Sequence, residues 1–305
     1  MSKLPNISTS IFSTMSQLAA ANNAINLSQG FPNFPVDQRL IEITVKLTKE
    51  NVHQYAPMAG YPPLLDKIAL LTQEHYQRKV DPVTEILITT GATQGIFTAI
   101  QALVKTGDEV IVLDPSYDSY EPSILLASGK SVRIPLYDDY TVNWEAVAQA
   151  CTPKTRMIII NNPHNPTGKI LNKKDIETLE NILDQNPDLL LLSDEVYEYI
   201  TFEEKHISAN SREKLRSRSI IASSFGKSFH ITGWKIGYLI APENLMHEIK
   251  KVHQFLVFSV NSLAQAAICQ FLDFVDFKEI SSFYQKKRDY FRELLAPSRF
   301  NLLPS

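Results

Sequence analysis

The chain alternates short apolar runs with longer stretches of helical periodicity. The strand-like runs lie at 86–90, 109–113, 131–135, 156–160, 188–193, 219–223 and 236–241. Amphipathic patterns typical of helices separate most of them, for example at 93–105 and 172–185. Continuous apolar strands joined by helices predict an α/β fold with a mostly parallel sheet covered on both faces. The short spacing between the last two runs predicts one antiparallel strand.

The two ends of the chain have a different pattern from the middle. The first 40 residues predict an arm and loops, and the residues after 242 predict three helices, the last at about 276–295. The final stretch RFNLLPS is strand-like. We therefore divide the chain into an N-terminal arm with a small-domain segment (1–45), a large domain (46–277) and the start of a second, incomplete small α+β domain (278–305).

Composition restricts the class of protein. The 305 residues are 44% hydrophobic and 21% charged, with a formal net charge of −3, which gives no support for a nucleic-acid partner. No apolar run approaches the roughly 20 residues of a membrane-spanning helix, so we expect no membrane role. Two cysteines cannot build a disulfide framework, and the N-terminus lacks the pattern of a signal peptide. We expect a soluble, cytoplasmic protein.

Polar clusters follow five of the predicted strands. In open α/β sheets, ligands bind beyond the carboxyl ends of the strands. Each cluster alone is compatible with an ordinary turn or helix cap, but five of them at one edge of one sheet predict a ligand site. The clusters are GATQG (91–95), DPSYDSY (114–120), NNPHNPTGK (161–169), DEVYEY (194–199) and SFGKSF (224–229).

The residue types in these clusters indicate the kind of ligand. GATQG precedes a helix predicted to begin near Thr93, where backbone N–H groups can bind an anion; a plain helix cap at Thr93 is the alternative. Tyr117 and Tyr120 offer aromatic faces for a flat ring. Asp194 offers a carboxylate for a cation, and Lys227 an amine that burial can make nucleophilic. Together they suit a phosphorylated heterocycle with a basic ring nitrogen and an aldehyde, namely pyridoxal 5'-phosphate (PLP).

Several other chemistries have no sequence support. The chain contains no GxxxxGK[ST] or GxGxxG phosphate-binding pattern, no HExxH or CxxC metal pattern and no GxSxG hydrolase pattern. We therefore expect no metal site and no serine hydrolase. The proline-rich loop at 161–169 does offer a rigid polar surface, with Asn161, Asn162, His164 and Asn165 within five residues.

Longer stretches carry a family resemblance. They are NLSQGFPNFP (26–35), HQYAPMAGYPPL (53–64), DPSYDSYEP (114–122), NPHNPTGK (162–169), SDEVYE (193–198), SSFGKSFHITGWKIGY (223–238) and KVHQFLVFSVN (251–261). Over essentially its whole length the sequence resembles PLP-dependent fold-type I aminotransferases of class I/II, and within them the methionine and kynurenine (glutamine-phenylpyruvate) aminotransferase group. The resemblance implies a three-layer α/β/α fold with a seven-stranded sheet. It also implies a homodimer with shared active sites, and transamination between an apolar or aromatic amino acid and a 2-oxo acid.

The resemblance also implies roles for residues around the cofactor ring. Lys227 corresponds to the lysine that forms a Schiff base with PLP and then acts as general base. Asp194 corresponds to the partner of the ring nitrogen, which keeps that nitrogen protonated. Asn165 and Tyr197 correspond to donors to the phenolate oxygen of the ring, and Tyr117 to the residue stacked on the ring. The Asn165–Pro166 bond is expected to be cis.

Phosphate-binding roles fall to a second group: Ala92, Thr93, Ser224 and Lys235 within one subunit, and Tyr55 from the neighbouring subunit. Lys235 stands where the family usually has arginine, and lysine lacks the planar bidentate grip of a guanidinium.

The substrate pocket is implied to include Phe12, Gly30 and Asn165. The family chain continues beyond the position of residue 305, and that part carries an arginine for the substrate α-carboxylate. Two alternatives to transamination therefore stay open at this point. One is a PLP-dependent carbon–sulfur lyase on the same scaffold, and the other is a PLP-binding protein with weak or no turnover.

Overall fold

The computed structural model describes residues 2–302, which form seven strands and twelve helices. The strands are β1 (Ile86–Thr89), β2 (Glu109–Asp114), β3 (Lys130–Pro135), β4 (Thr155–Asn161), β5 (Leu190–Asp194), β6 (Ser219–Ser224) and β7 (Gly237–Ile240). Each of the seven apolar runs contains one strand, so the strand prediction is confirmed.

The helices alternate with the strands through the centre of the chain and dominate its two ends. They are α1 (Ile11–Ala21), α2 (Gln38–Leu47), α3 (Pro62–Tyr76), α4 (Gly91–Leu103), α5 (Tyr120–Leu126), α6 (Trp144–Ala150), α7 (Lys173–Gln185), α8 (Glu213–Arg216), α9 (Phe225–Ser228), α10 (Glu243–Leu256), α11 (Ser262–Phe271) and α12 (Phe277–Leu295). Across residues 2–302, no helix has both the length and the apolar character that crossing a bilayer requires. The cytoplasmic location stays a prediction.

The strands form one sheet in the order β1-β7-β6-β5-β4-β2-β3. Strands β2 to β6 pair in parallel with one another, whereas β7 is antiparallel to both of its neighbours, β1 and β6. The prediction of a mostly parallel sheet with one antiparallel strand is confirmed. Because β7 runs against the others, its first residue lies at the edge where the parallel strands end.

Both faces of the sheet are covered by helices. Alternate strand residues point to opposite faces, so Ile88 and Ile111 join one apolar core and Leu87 and Val110 join the other. Helices α2, α3, α7 and α11 contribute to the first core, and α4, α5 and α10 to the second. This arrangement is the predicted three-layer α/β/α architecture, and it explains why the strands are apolar at nearly every position.

The ends of the chain differ in part from the prediction. The segment predicted as arm and loops contains helix α1, which begins after Ser10, whose hydroxyl accepts a hydrogen bond from the backbone N–H of Phe12 (3.3 Å). Helix α1 buries no residue, so its sequence lacks the apolar period that reveals a core helix. At the other end, residues 299–302 form no strand, and residues 303–305 of the strand-like stretch lie outside the described residues. The division into three domain segments stays a prediction.

The sheet packs closely against the start of α4 at Gly237, and a substitution there tests this packing. A Cβ at this position would lie 2.7 Å from the backbone nitrogen of Ala92 and 2.8 Å from the carbonyl oxygen of Ser223. We expect Gly237→Ala to lower the free energy of unfolding by about 1–3 kcal/mol, measured by urea denaturation. Gly233→Ala is the control, because its Cβ would meet no atom within 4 Å. Equal stability of the two variants would contradict this packing.

Candidate active site

A cavity of about 820 Å³ opens at the edge of the sheet where the parallel strands end. All five polar clusters contribute to its wall, as do residues of the N-terminal arm. The wall includes every predicted site residue except Tyr55. These lining residues are Phe12, Gly30, Ala92, Thr93, Tyr117, Asn165, Asp194, Tyr197, Ser224, Lys227 and Lys235.

The start of helix α4 forms one end of the cavity. The helix begins at Gly91, two residues earlier than predicted, because Gly91 adopts a left-handed conformation (φ +72°) that turns the chain into the helix. Thr90 is the cap residue, so the alternative of a cap at Thr93 is wrong. Thr93 lies in the first turn, and its hydroxyl is 3.2 Å from the hydroxyl of Tyr117.

This end of the cavity is built for an anion. The first backbone N–H groups of a helix have no partner within the helix and carry partial positive charge. The Nζ atom of Lys235 lies 3.1 Å from the point that a Cβ on Gly91 would occupy, so a side chain there would crowd the lysine amine. Ser224, whose hydroxyl caps helix α9 at the backbone N–H of Gly226 (3.1 Å), completes the wall. A helix start, a lysine and a hydroxyl are suitable donors for a phosphate.

Lys227 lies in the short helix α9 and lines the cavity. Its amine donates a hydrogen bond to the backbone oxygen of Gly30 and lies 5.6 Å from the centre of the Tyr197 ring. Burial lowers the pKa of this amine, the charge of Lys235 lowers it further, and the charge of Asp194 opposes the shift. The lowered pKa enlarges the fraction of neutral, nucleophilic amine.

Asp194 is the last residue of strand β5, lines the cavity and is only 4% exposed. Its Oδ2 atom accepts a hydrogen bond from the Tyr120 hydroxyl (2.6 Å), and its Oδ1 atom accepts one from the backbone N–H of Val196 (3.4 Å). Burial raises the pKa of the carboxyl to about 6, although the bond from Tyr120 opposes the shift. A cation bound in the cavity would offset the cost of burying this charge.

The other residues predicted to contact the cofactor ring, Tyr117, Asn165 and Tyr197, line the same cavity as Asp194 and Lys227. Burial raises the pKa of Tyr117 and of Tyr197, so both phenols stay protonated at neutral pH. Asn165 is fixed by its backbone N–H, which donates to the side-chain oxygen of Asn161 (2.6 Å). The Asn165–Pro166 peptide bond is cis, as the resemblance implies.

Two features of the site were not found from the sequence. Besides Phe12 and Gly30, which the resemblance implies, Ile11, Leu27 and Phe31 of the N-terminal arm line the cavity, but the arm has no periodic pattern that could indicate this. Tyr120 was considered for ring stacking, and the structure instead places its hydroxyl on Asp194. The spacing of Tyr117 and Tyr120 gives no signal that distinguishes the two roles.

Tyr55 lies outside the cavity of its own chain. It is 80% exposed, and its ring packs edge-on against that of Phe258, with centroids 5.3 Å apart. The contribution of Tyr55 to a neighbouring subunit stays a prediction. In residues 2–302, histidine, cysteine, aspartate and glutamate form no group of three that could hold a metal ion.

The donor set as a whole fits PLP. The helix start, Ser224 and Lys235 offer an anion site, Lys227 offers an amine, and Asp194 offers a buried carboxylate. These are the groups that a phosphate, an aldehyde and a basic ring nitrogen require.

The raised pKa of Asp194 predicts how the stability of the cofactor-free chain depends on pH. The folded state binds this proton more tightly than the unfolded state, so the free energy of unfolding falls as the pH rises from about 4 to about 6. The expected loss from this group is roughly 3 kcal/mol. Urea denaturation should show the loss in the unmodified chain and its absence in Asp194→Asn. Asp118→Asn, at an exposed carboxyl of the same cavity, is the control, and identical pH profiles for all three would contradict the assignment.

Comparisons with known proteins agree with this site. The profile of aminotransferase class I and II matches residues 22–305. A methionine aminotransferase of Escherichia coli is 42% identical over 307 residues, which cover 99% of this chain and 79% of the relative. A kynurenine–oxoglutarate transaminase of Dictyostelium discoideum is 34% identical, covering 92% and 70%.

Solved structures show the same likeness. A crystal structure of an Escherichia coli protein with methionine aminotransferase function superposes with a TM-score of 0.96 at 41% identity, covering all of this chain and 80% of the other. The N-succinyldiaminopimelate aminotransferase of Mycobacterium tuberculosis superposes with a TM-score of 0.93 at 33% identity, covering 97% and 79%. The chain therefore belongs to the class I and II aminotransferases, a family of PLP-dependent enzymes that transfer the amino group of an amino acid.

Proposed function

We propose that this chain moves the amino group of an apolar or aromatic amino acid, such as methionine, to a 2-oxo acid. The observation that supports the proposal is that the Lys227 amine, the buried Asp194 carboxylate and the Lys235 amine line one cavity and that the charges of Asp194 and Lys235 both act on Lys227. When bound, PLP accepts electron density from the α-carbon of the amino acid.

The chain's own residues position the reactants and move protons. The Asp194 carboxylate, oriented by the Tyr120 hydroxyl, would pair with the ring nitrogen of PLP and keep it protonated. The Nζ atom of Lys227 would be the base that takes a proton from the α-carbon of the substrate. Tyr117 would stack on one face of the PLP ring, and Asn165 and Tyr197 would donate hydrogen bonds to its phenolate oxygen, since all three side chains line the cavity.

The preference for an apolar substrate is supported by the side of the cavity formed by the arm. Ile11, Phe12, Leu27 and Phe31 contribute apolar surface there. Among the described lining residues the only lysines or arginines are Lys227 and Lys235, and both serve the cofactor in this proposal. An acidic substrate side chain would lose its hydration on this side without gaining a cationic partner.

We also propose a homodimer in which each subunit completes the site of the other. Tyr55 is well placed for this role because it is exposed, held against Phe258 and absent from its own cavity. Phe255 is 88% exposed and Phe258 54% exposed, so Tyr55 belongs to an apolar surface that a second copy of the chain could cover.

Neither alternative function is favoured by a specific observation. Relatives that the chain matches at high coverage are named as aminotransferases or transaminases. A carbon–sulfur lyase would release a thiol and ammonia from methionine, whereas a transaminase forms a 2-oxo acid and leaves the amino group on the cofactor. Product analysis therefore distinguishes the two reactions.

The half-reaction with an amino acid alone tests the proposed function. Methionine and phenylalanine should convert the yellow PLP enzyme to its pyridoxamine phosphate form at least about 100-fold more efficiently than aspartate, followed by visible absorbance. Lys227→Ala should slow the conversion by about 10²–10⁴-fold and should no longer retain PLP after borohydride reduction. Lys235→Ala is the matched control: it should weaken PLP binding and keep the covalent label at Lys227. Full activity of Lys227→Ala would refute the proposal.

Mixed dimers test whether Tyr55 acts in the neighbouring subunit. A dimer of one Tyr55→Ala chain and one Lys227→Ala chain contains one site with both intact residues, provided that Tyr55 acts across the interface. We expect such a dimer to regain about half of the wild-type activity per dimer, with each parent homodimer well below it. Sedimentation should give twice the 34.5 kDa mass of one chain. An activity no higher than that of the Tyr55→Ala chain would place Tyr55 in its own site.

A further inference from the structure

Glu198 is a buried acid directly after Tyr197 in the turn that follows β5. It is 8% exposed and does not line the cavity. Three hydroxyl groups donate hydrogen bonds to its carboxylate: those of Ser223 and Tyr76, and that of Tyr238 at 3.2 Å. A buried carboxylate is costly unless it is hydrogen-bonded, and here each donor is neutral.

The three hydroxyls come from separate parts of the fold. Tyr76 is the last residue of helix α3, Ser223 lies in β6 and Tyr238 in β7. Ser223 and Tyr238 face each other as a pair in the antiparallel β6–β7 ladder. Glu198 therefore joins a helix and two strands to the turn after β5.

Of the four joined segments, the turn after β5 and the segments of β6 and β7 also carry cavity residues, whereas helix α3 carries none. Tyr197 precedes Glu198, Ser224 and Lys227 follow Ser223 within four residues, and Lys235 precedes Tyr238 by three. Strands are stiff over such short distances, so a displacement at Ser223 or Tyr238 moves the cavity wall. One carboxylate thus fixes the relative positions of the phenol, the amine and the anion site.

We propose that Glu198 is a positioning residue for the cofactor, which acts by accepting hydrogen bonds and touches no reacting atom. It holds Tyr197, Lys227 and Lys235 at the separations that one rigid ligand requires. The inference rests on the proposed function, because these separations matter only if the three residues bind PLP together. The role depends on the position of the acceptor oxygen atoms of the side chain rather than on its charge. Glutamine at position 198 should therefore keep most of the role, and alanine should not.

Tyr76→Phe is the most informative variant. It removes one hydroxyl that donates to Glu198, and Tyr76 itself does not line the cavity. We expect its PLP dissociation constant to rise about three- to tenfold, the equivalent of one hydrogen bond. Glu198→Ala should raise the dissociation constant by more than tenfold. Glu198→Gln should raise it much less, because the three hydroxyls can rotate to hydrogen-bond to the amide. The pH midpoint of the visible absorbance of the holoenzyme should shift in the same order, since Tyr197 contacts the ring.

A structural control separates positioning from simple destabilisation. Glu85 forms an ion pair with Arg78 (3.0 Å) just before β1, at the end of that strand away from the cavity. Glu85→Gln should lower the free energy of unfolding and leave PLP affinity and the absorbance midpoint unchanged. The inference is overturned if Tyr76→Phe and Glu198→Ala lower stability without changing either cofactor property. If Glu198→Ala does not fold, Tyr76→Phe alone decides. Failure of the proposed function is distinct, because Lys227→Ala would then keep its covalent label.

Discussion

The constraint on which this site depends is the removal of two ionisable groups from water at the same edge of one sheet. Burial raises the pKa of Asp194 and lowers that of Lys227, so each group is shifted toward its neutral form. Asp194 accepts hydrogen bonds from Tyr120 and from the backbone of Val196, and Lys227 donates one to the backbone oxygen of Gly30. None of these partners is charged. The free chain therefore holds both groups at an energetic cost that a ligand with a cationic ring and a reactive carbonyl can offset.

The sheet topology explains why so many site residues come from few elements. Parallel strands bring the residues after β2, β4, β5 and β6 to one edge, where the polar clusters lie. The antiparallel β7 adds a residue that precedes a strand, since its start lies at the same edge. Lys235, two residues before β7, thereby lies beside Gly91 at the start of α4. A seventh parallel strand would have taken this lysine to the other end of the sheet.

Much of this arrangement could be predicted because strand ends and clustered polar residues are local signals. The seven apolar runs identified the strands, and the polar clusters after five of them identified residues that line the cavity, whereas Phe12, Gly30 and Lys235 were expected only from the family resemblance. Helix α1 was missed because it buries no side chain. The start of α4 was placed two residues late because a positive φ at Gly91 leaves no periodic signal. Neither the bond from Tyr120 to Asp194 nor the joining of Tyr76, Ser223 and Tyr238 by Glu198 could be derived, since these contacts span from 25 to 122 positions along the chain.

The strand order also bears on how the protein is made. Strand β1 is the first strand to leave the ribosome, yet its neighbour in the sheet is β7, which ends at residue 240. About 150 further residues must be synthesised before β1 can pair with β7. A separation of this length in the sequence slows the formation of the β1–β7 contact. During this interval β2 to β6 can already assemble as parallel neighbours. The rate of translation up to residue 240 thus determines how long the apolar residues of β1 are accessible to chaperones or to other nascent chains.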